Sequence, residues 1–171
     1  MRALIVGGGV AGLATALALR DAGIESLVLE RRGAEQAVAG SYLTVAPNGL
    51  SAAAAIGVDA DLAAAGFPTD ENVLVGAGGR PLGAVSIGVP LASGVRGITL
   101  RRADLVRVLA EQCARRGIEV RRGVPVVGVH GSRVHGPEVE LAGGERLAAD
   151  VLIGADGVRS CLLYTSDAAD E

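Results

Sequence analysis

The chain has no lysine, and all 16 of its basic residues are arginine, against 19 acidic residues. Asp167, Asp170 and Glu171 account for the whole formal charge of -3, so residues 1–160 are neutral. With the abundance of alanine and glycine, the missing lysine indicates a coding bias rather than a binding surface. A neutral body without a basic stripe argues against a nucleic-acid partner.

Cysteine and histidine are scarce, with two residues of each type. Cys113 and Cys161 cannot form a disulfide framework, and His130 and His135 lack the short helical spacing of a zinc pair. We therefore expect no metal site. A reducing compartment, the cytoplasm, fits this composition.

No uninterrupted apolar run is long enough to cross a membrane. The start, MRALIVGGGVAGLATALALR, imitates a signal peptide, but GGGVAG breaks the apolar run and a helix end and a strand follow at once. The uncharged residues 36–58 contain glycine, proline and asparagine, so we expect no membrane span there. The 171 residues, half of them apolar, predict one core and a single domain.

The first thirty residues show a β-α-β pattern. The apolar run ALIVGG predicts a strand buried on both faces, and Gly7-x-Gly9-x-x-Gly12 follows it. A helix then packs through Leu13, Ala16 and Leu17 and stops at Gly23, and SLVLE predicts a second buried strand. This arrangement predicts a dinucleotide-binding unit.

Each glycine of the motif has its own function in a dinucleotide-binding turn. Gly7 permits the tight turn, Gly9 lets backbone N–H groups approach a pyrophosphate, and Gly12 lets the helix lie close to the strand. The helix N-terminus adds partial positive charge for the phosphates. Glu30, at the end of the second strand, is placed to accept hydrogen bonds from an adenosine ribose.

These residues alone leave the identity of the dinucleotide open. Glu30 would repel the 2'-phosphate of NADP, which favours NAD or FAD, while Arg31 and Arg32 keep an NADP site possible. The NAD alternative corresponds to an NAD-dependent dehydrogenase.

The rest of the chain interrupts and then resumes the alternation of strands and helices. Residues 41–67 predict a short strand and two Ala-rich helices, and residues 73–88 predict a β-hairpin. A strand and a helix follow in GITLRRADLVRVLAEQCARRG, with Leu105, Val108, Leu109 and Cys113 on the buried face. A second hairpin over residues 138–150 and a buried strand, VLIGADG, complete the pattern. The prediction is therefore an α/β fold of Rossmann type with inserted hairpin material.

Three motifs in this order and spacing resemble the N-terminal half of the FAD-dependent aromatic-ring monooxygenases, the salicylate- and urate-hydroxylase-like flavoproteins. They are GGGVAGLATALALRDAGIESLVLER, RRADLVRVL and DVLIGADGVRS. The segment GSYLTVAPNGLSAAAAIG is also similar to the family. The resemblance covers residues 1–160, and it implies an FAD-binding domain in which residues 72–97 contribute to a substrate-side sheet.

The resemblance implies roles for individual residues at a bound FAD. Arg102, rather than Arg101, would contact the flavin, with Thr44 and the backbone of Val126 beside it. Asp156 and Gly157, completed by Arg159 and Ser160, would serve both the flavin and the incoming pyridine nucleotide. The predicted cofactor-binding residues are Gly7, Gly9, Gly12, Glu30, Arg31, Thr44, Arg102, Val126, Asp156 and Gly157.

The resemblance further implies that NAD(P)H reduces the flavin, which then reacts with dioxygen and hydroxylates a small aromatic or related substrate. A non-catalytic flavin-binding remnant would share every motif, and no catalytic base can be named. Residues 161–171, CLLYTSDAADE, lose the arginine and the periodicity of the preceding chain and resemble a translated sequencing adapter. We therefore expect a foreign tail on a chain truncated before its second half, inactive in hydroxylation by itself.

Overall fold

The computed structural model describes residues 1–33, 40–88, 96–132, 136–158, 160 and 162. The helices are α1 (Val10–Asp21), α2 (Pro47–Ala55), α3 (Asp59–Ala65) and α4 (Arg102–Arg115). The strands are β1 (Arg2–Val6), β2 (Glu25–Glu30), β3 (Tyr42–Val45), β4 (Phe67–Pro68), β5 (Glu71–Val75), β6 (Pro81–Ser86), β7 (Ile98–Arg101), β8 (Glu119–Arg122), β9 (Val126–Ser132), β10 (Gly136–Leu141), β11 (Arg146–Ala148) and β12 (Val151–Gly154). Arg159 and, apart from Leu162, the predicted foreign tail lie outside the described residues.

The chain divides into two compact units. The first unit comprises Met1–Val38 and Leu109–Glu171, and the second comprises Ala39–Val108. The boundary at residue 108 falls within α4, so this helix contributes residues to both units.

The first unit contains a four-stranded parallel sheet in the order β12-β1-β2-β8. Its two central strands are rich in leucine, valine and isoleucine, and their middle residues are buried. Such residues suit a parallel strand, because helices or loops cover both faces of a parallel sheet. The sheet therefore forms around the two strands that carry the strongest apolar runs.

Helix α1 connects the two central strands and buries one face. Gly12, Leu13, Ala16 and Leu17 are buried, and Gly23, with φ of +74°, follows the helix end. The thiol of Cys113 lies 3.7 Å from the carbonyl oxygen of Leu13, so the C-terminal half of α4 packs against α1.

An antiparallel sheet in the order β11-β10-β9 supplies the other part of the core of the first unit. Val139 and Leu141 on β10 are buried in one cluster with four apolar residues of the parallel sheet, namely Leu4, Val6, Leu27 and Leu29. Val126 at the start of β9 packs against this cluster. The packing holds the two sheets of the first unit together.

The second unit contains a three-stranded sheet in the order β3-β7-β4 and the short helices α2 and α3. Pro47 is the first residue of α2. A backbone N–H at this position has no acceptor within the helix, so proline, which lacks the N–H, is well tolerated there. Leu50 and Leu62 are the large buried side chains of these helices.

The hairpin of β5 and β6 in the second unit is exposed along both strands. Its large apolar side chains are 48 to 69% exposed, namely Val73, Leu74, Val75, Leu82 and Val85. A two-stranded hairpin has little stability of its own in water.

The predicted α/β fold of Rossmann type with inserted hairpin material is confirmed, as is the buried stripe of Leu105, Val108, Leu109 and Cys113 on α4. The prediction of a fully buried last strand is wrong. Val151 is 38% exposed and Gly154 is exposed, because within the described residues β12 pairs with β1 alone and forms an edge of the sheet.

Candidate functional site

Two glycines, Gly7 in the turn between β1 and α1 and Gly12 in the first turn of α1, have no room for a side chain. Gly7 has φ of +112°, and a Cβ there would overlap the carbonyl oxygen of Ala155. A Cβ at Gly12 would overlap the carbonyl oxygen of Gly7. The glycines therefore let the turn, the helix and the end of β12 approach one another closely.

The N-terminus of α1 leaves main-chain donors free of any side-chain cap. Gly9 is the N-cap residue, with φ of -84°, and no side chain caps the helix. No acidic residue occupies the first turn of α1. A Cβ at Gly9 would have no neighbour within 4 Å, so the space beside it is open. This combination of free N–H groups and open space suits an approaching phosphate.

Glu30 is held by two main-chain donors from different segments. The N–H of Gly8 donates to Oε2 of Glu30 at 2.7 Å, and the N–H of Arg32 donates to Oε1 at 2.9 Å. Glu30 is half-buried at the carboxyl end of β2. The carboxylate therefore lies next to the glycine turn, where its predicted contact with an adenosine ribose requires it to be.

Asp156 and Gly157 follow β12 and reach the same end of the sheet. The N–H of Ala155 donates to the carbonyl oxygen of Val6 at 2.7 Å, and a Cβ on Gly7 would lie 2.8 Å from the backbone nitrogen of Asp156. Gly157 is exposed with φ of +89°, and the Asp156 carboxylate accepts a long hydrogen bond, 3.5 Å, from the N–H of Leu162. The structure therefore brings two of the predicted motifs together at the ends of β1 and β12.

Two further predicted residues lie on the segments that surround Glu30. The N–H of Val124 donates to the carbonyl oxygen of Glu30 at 3.1 Å, and Val126 follows two residues later at the start of β9. Arg31 is exposed directly after Glu30. Their roles at a cofactor stay predictions.

Thr44 in the second unit belongs to a row of three hydroxyl groups. Its Oγ1 lies 2.8 Å from Oγ1 of Thr99, the residue opposite it in the pairing of β3 with β7. Thr69 donates to the same Thr99 hydroxyl at 2.9 Å. Sequence reasoning named Thr44 and missed Thr99 and Thr69, because only the strand register makes them neighbours.

Arg101, the last residue of β7, and Arg102, the first residue of α4, differ in their partners. The Arg101 guanidinium donates to the Asp104 carboxylate at 2.7 Å, and this hydrogen bond lowers the pKa of Asp104 and raises the pKa of Arg101. Arg102 packs its side chain against Gly40 and donates its N–H to the carbonyl oxygen of Ser41. Within the described residues the Arg102 guanidinium has no hydrogen bond or ion pair. Of the two, Arg102 has its charge available for an anionic or polar ligand.

Neither a metal-binding cluster nor a membrane-spanning helix is found in the described part of the chain. Residues 1–33, 40–88, 96–132 and 136–158, with 160 and 162, contain no cluster of three metal-ligating side chains. None of their helices combines the length and the apolar character that crossing a bilayer takes.

The fold and the glycine turn define a dinucleotide-binding domain of Rossmann type. Residues 1–166 match the model of a known family, described as FAD binding domain. Because the match covers nearly the whole sequence, the chain belongs to this family, and FAD is its cofactor.

Curated relatives span the same residues. The chain is 32% identical to aurachin C monooxygenase/isomerase of Stigmatella aurantiaca, covering 93% of this chain and 41% of that protein. It is 33% identical to 3-hydroxybenzoate 6-hydroxylase 1 of Aquipseudomonas alcaligenes, with 92% and 40% covered. FAD-dependent urate hydroxylase of Mycolicibacterium vanbaalenii is 32% identical, with 94% and 40% covered. The chain therefore spans about 40% of the length of these relatives.

Solved structures show the same fold. The crystal structure of FqzB superposes with a TM-score of 0.81 at 24% identity, covering 95% of this chain and 38% of that one. A variant of 2-methyl-3-hydroxypyridine-5-carboxylic acid oxygenase gives a TM-score of 0.76 at 26% identity, covering 93% and 40%.

Proposed function

We propose that the chain is the N-terminal part of the FAD-binding domain of a flavin-dependent monooxygenase, an enzyme that uses NAD(P)H and dioxygen to hydroxylate a small aromatic or related substrate. The observation that carries the proposal is the family match over residues 1–166, together with a site in which the glycine turn, Glu30 and Asp156 share one end of a parallel sheet. The corresponding domain would comprise residues 1–160, with residues 72–97, of which 89–95 lie outside the described residues, contributing to a substrate-side sheet.

The site residues of the first unit fit the FAD dinucleotide. Free N–H groups at the start of α1 and the open space beside Gly9 suit the pyrophosphate. Glu30 offers acceptor sites to the hydroxyl groups of the adenosine ribose. Asp156, half-buried beside Gly7, adds a polar group at the same end of the sheet. These features support Gly7, Gly9, Gly12, Glu30 and Asp156 as cofactor-binding residues.

The polar groups of the second unit fit the flavin part of the proposal. The Arg102 guanidinium, which has no hydrogen bond or ion pair within the described residues, and the exposed Thr44 side chain can donate hydrogen bonds to carbonyl and nitrogen acceptors of a flavin ring. When bound, FAD supplies hydride acceptance and reaction with dioxygen, while the protein orients the ring and excludes water. The chain's own part is therefore binding and orientation, and none of its described side chains is proposed as a catalytic base.

The names of the relatives support the substrate class. Two of them are called 3-hydroxybenzoate 6-hydroxylase and urate hydroxylase, and both names specify a small planar ring compound. We propose a substrate of this type. The free, buried thiol of Cys113 is compatible with a reducing compartment, and the proposed location is the cytoplasm.

The binding part of the proposal is tested by titrating the purified chain with FAD and following the quenching of flavin fluorescence. We expect saturable binding of FAD, and NAD added as a competitor should displace FAD only weakly. Tighter binding of NAD than of FAD would favour the dehydrogenase alternative and contradict the proposal.

The catalytic part is tested in a chimera in which residues 1–160 replace the equivalent part of 3-hydroxybenzoate 6-hydroxylase 1, which is 33% identical over the aligned region. We expect the chimera to hold FAD and to form hydroxylated product with NADH or NADPH. A chimera that retains FAD but neither oxidises NAD(P)H nor forms product would favour a non-catalytic flavin-binding module.

A further inference from the structure

Gly8 is the middle glycine of the GGG turn and occupies a variable position of the motif, where the fingerprint does not require glycine. Its φ lies outside the left-handed region, so backbone conformation does not demand glycine there. A Cβ at Gly8 would lie 2.8 Å from Cβ of Glu30 and 3.2 Å from both Cγ and Oε2. The space beside Gly8 is therefore occupied by the stem of Glu30.

The same residue also fixes the end of that side chain. The N–H of Gly8 donates to Oε2 of Glu30 at 2.7 Å, while the N–H of Arg32 donates to Oε1 at 2.9 Å. The two donors come from the two chain segments that flank the carboxylate, one after β1 and one after β2. The Glu30 carboxylate is consequently oriented at both oxygens before any ligand binds.

A carboxylate has about four acceptor sites, and two are used by these main-chain donors. The two that remain lie on different oxygen atoms. A vicinal diol carries two O–H donors on adjacent carbons and can engage both oxygens at once. A side chain fixed in advance loses little rotamer freedom on binding, which strengthens such a contact.

We propose that Gly8 is a positioning residue that selects nucleotides with an intact ribose 2',3'-diol. Its missing Cβ lets the Glu30 stem cross the turn, and its N–H aims the carboxylate at the diol. Nucleotides in which the diol is removed or blocked lose this contact. The inference rests on the proposed function, since it takes the adenosine ribose of FAD to lie at Glu30.

The test compares ADP with 2',3'-dideoxy-ADP, each used to displace FAD from the full chain. We expect the wild-type chain to prefer ADP by about tenfold, equal to about 1.4 kcal/mol. Gly8→Ala should reduce this preference to about twofold or less, as Glu30→Ala should. The double variant should resemble Glu30→Ala alone, because both changes act on one interaction. Gly143→Ala, where a Cβ has no neighbour within 4 Å, is the matched control and should keep the wild-type preference.

A second variant covers the case in which Gly8→Ala does not fold. Replacing the Gly8 residue by glycolate exchanges the N–H for an ester oxygen without adding a Cβ, and it should also abolish the preference for the diol. If the preference survives both changes at Gly8 but is lost in Glu30→Ala, the role of Gly8 is overturned and the FAD site stands. If the wild-type chain binds neither FAD nor ADP, the proposed function fails and this inference with it.

Discussion

Gly12 lies so close to Gly7 that a Cβ on Gly12 would overlap the Gly7 carbonyl oxygen. The contact joins the first turn of α1 to the end of β1, and the obstructing atom belongs to the backbone, which cannot rotate away. We expect Gly12→Ala to lower the free energy of unfolding by about 3 kcal/mol, the upper part of the usual cost of overpacking. Urea denaturation measures the change. Gly143→Ala is the control and should unfold as the wild type does, and an equal midpoint for all three proteins would contradict the close approach.

Gly9→Ala should leave the stability of the fold unchanged and weaken the binding of FAD. A Cβ at Gly9 has no neighbour within 4 Å, and φ is -84°, so the folded chain can accept alanine. The added methyl group would stand where a pyrophosphate approaches the N–H groups of α1. We expect an unchanged urea midpoint and FAD affinity lower by about tenfold, or about 1.4 kcal/mol. Unchanged affinity would place the phosphates elsewhere.

Glu30→Ala should weaken FAD binding by about 1 to 3 kcal/mol, because the ribose hydroxyls lose their acceptor. Fluorescence titration measures the effect. Glu25→Ala, at the exposed start of the same strand, is the matched control and should bind as the wild type does. Equal affinity of Glu30→Ala and the wild type would remove Glu30 from the site.

Arg102 and Arg101 should respond differently to substitution. Arg102→Lys should weaken FAD binding as Arg102→Ala does, since lysine keeps the charge but loses the planar set of donors. Arg101→Ala should leave FAD affinity nearly unchanged, because the Arg101 guanidinium is already bound to Asp104. If Arg101→Ala is the damaging change, the assignment of the flavin-contacting arginine is off by one residue.

The buried thiol of Cys113 should be unreactive in the native chain. Its burial should also make the free energy of unfolding decrease at high pH. Burial raises its pKa from 9.0 to about 11, with the Arg116 guanidinium acting in the opposite direction. The unfolded chain therefore releases the thiol proton at lower pH than the folded chain does. The contribution to stability is complete below pH 9.0 and is lost as the pH rises towards about 11.

The measurement is urea denaturation of the wild type and of Cys113→Ala at several values between pH 8 and 11. The free energy of unfolding of the wild type, relative to that of Cys113→Ala, should fall by about 2 kcal/mol as the pH rises over that range. In a Cys161→Ala background, which leaves Cys113 as the one thiol of the chain, a thiol reagent should label Cys113 in urea and not in the native chain. Rapid native labelling at pH 8 would contradict the buried position.

The sequence predicted well those parts of the site that lie close together along the chain. Gly7, Gly9, Gly12 and Glu30 belong to one β-α-β unit, and its periodic apolar residues define the strands and the helix around them. Asp156 was predicted as a cofactor-binding residue from the family resemblance alone, and its proximity to Gly7 depends on the pairing of β12 with β1.

Other features could not be predicted because they depend on strand order and register. Thr99 joins Thr44 only through the pairing of β3 with β7, and no local pattern distinguishes Thr99 from other threonines. The exposure of β12 follows from its place at the sheet edge, whereas its apolar sequence resembles that of a central strand. The role of Gly8 depends on the path of the Glu30 side chain, which the motif does not specify.

The pairing of the first strand with the last has a consequence for biosynthesis. The N–H of Arg2 donates to the Asp150 carboxylate at 2.7 Å across 148 residues of sequence, and β12 then pairs with β1. During translation, β1, α1 and β2 leave the ribosome before β12, and the edge of β1 that pairs with β12 has no partner until residues 151–154 emerge. At about 5 to 20 residues per second, that edge stays open for roughly 7 to 30 seconds, long enough for chaperones to bind a nascent chain. Ribosome stalling before residue 150 should therefore leave a nascent chain whose first strand is accessible to proteases and holdases.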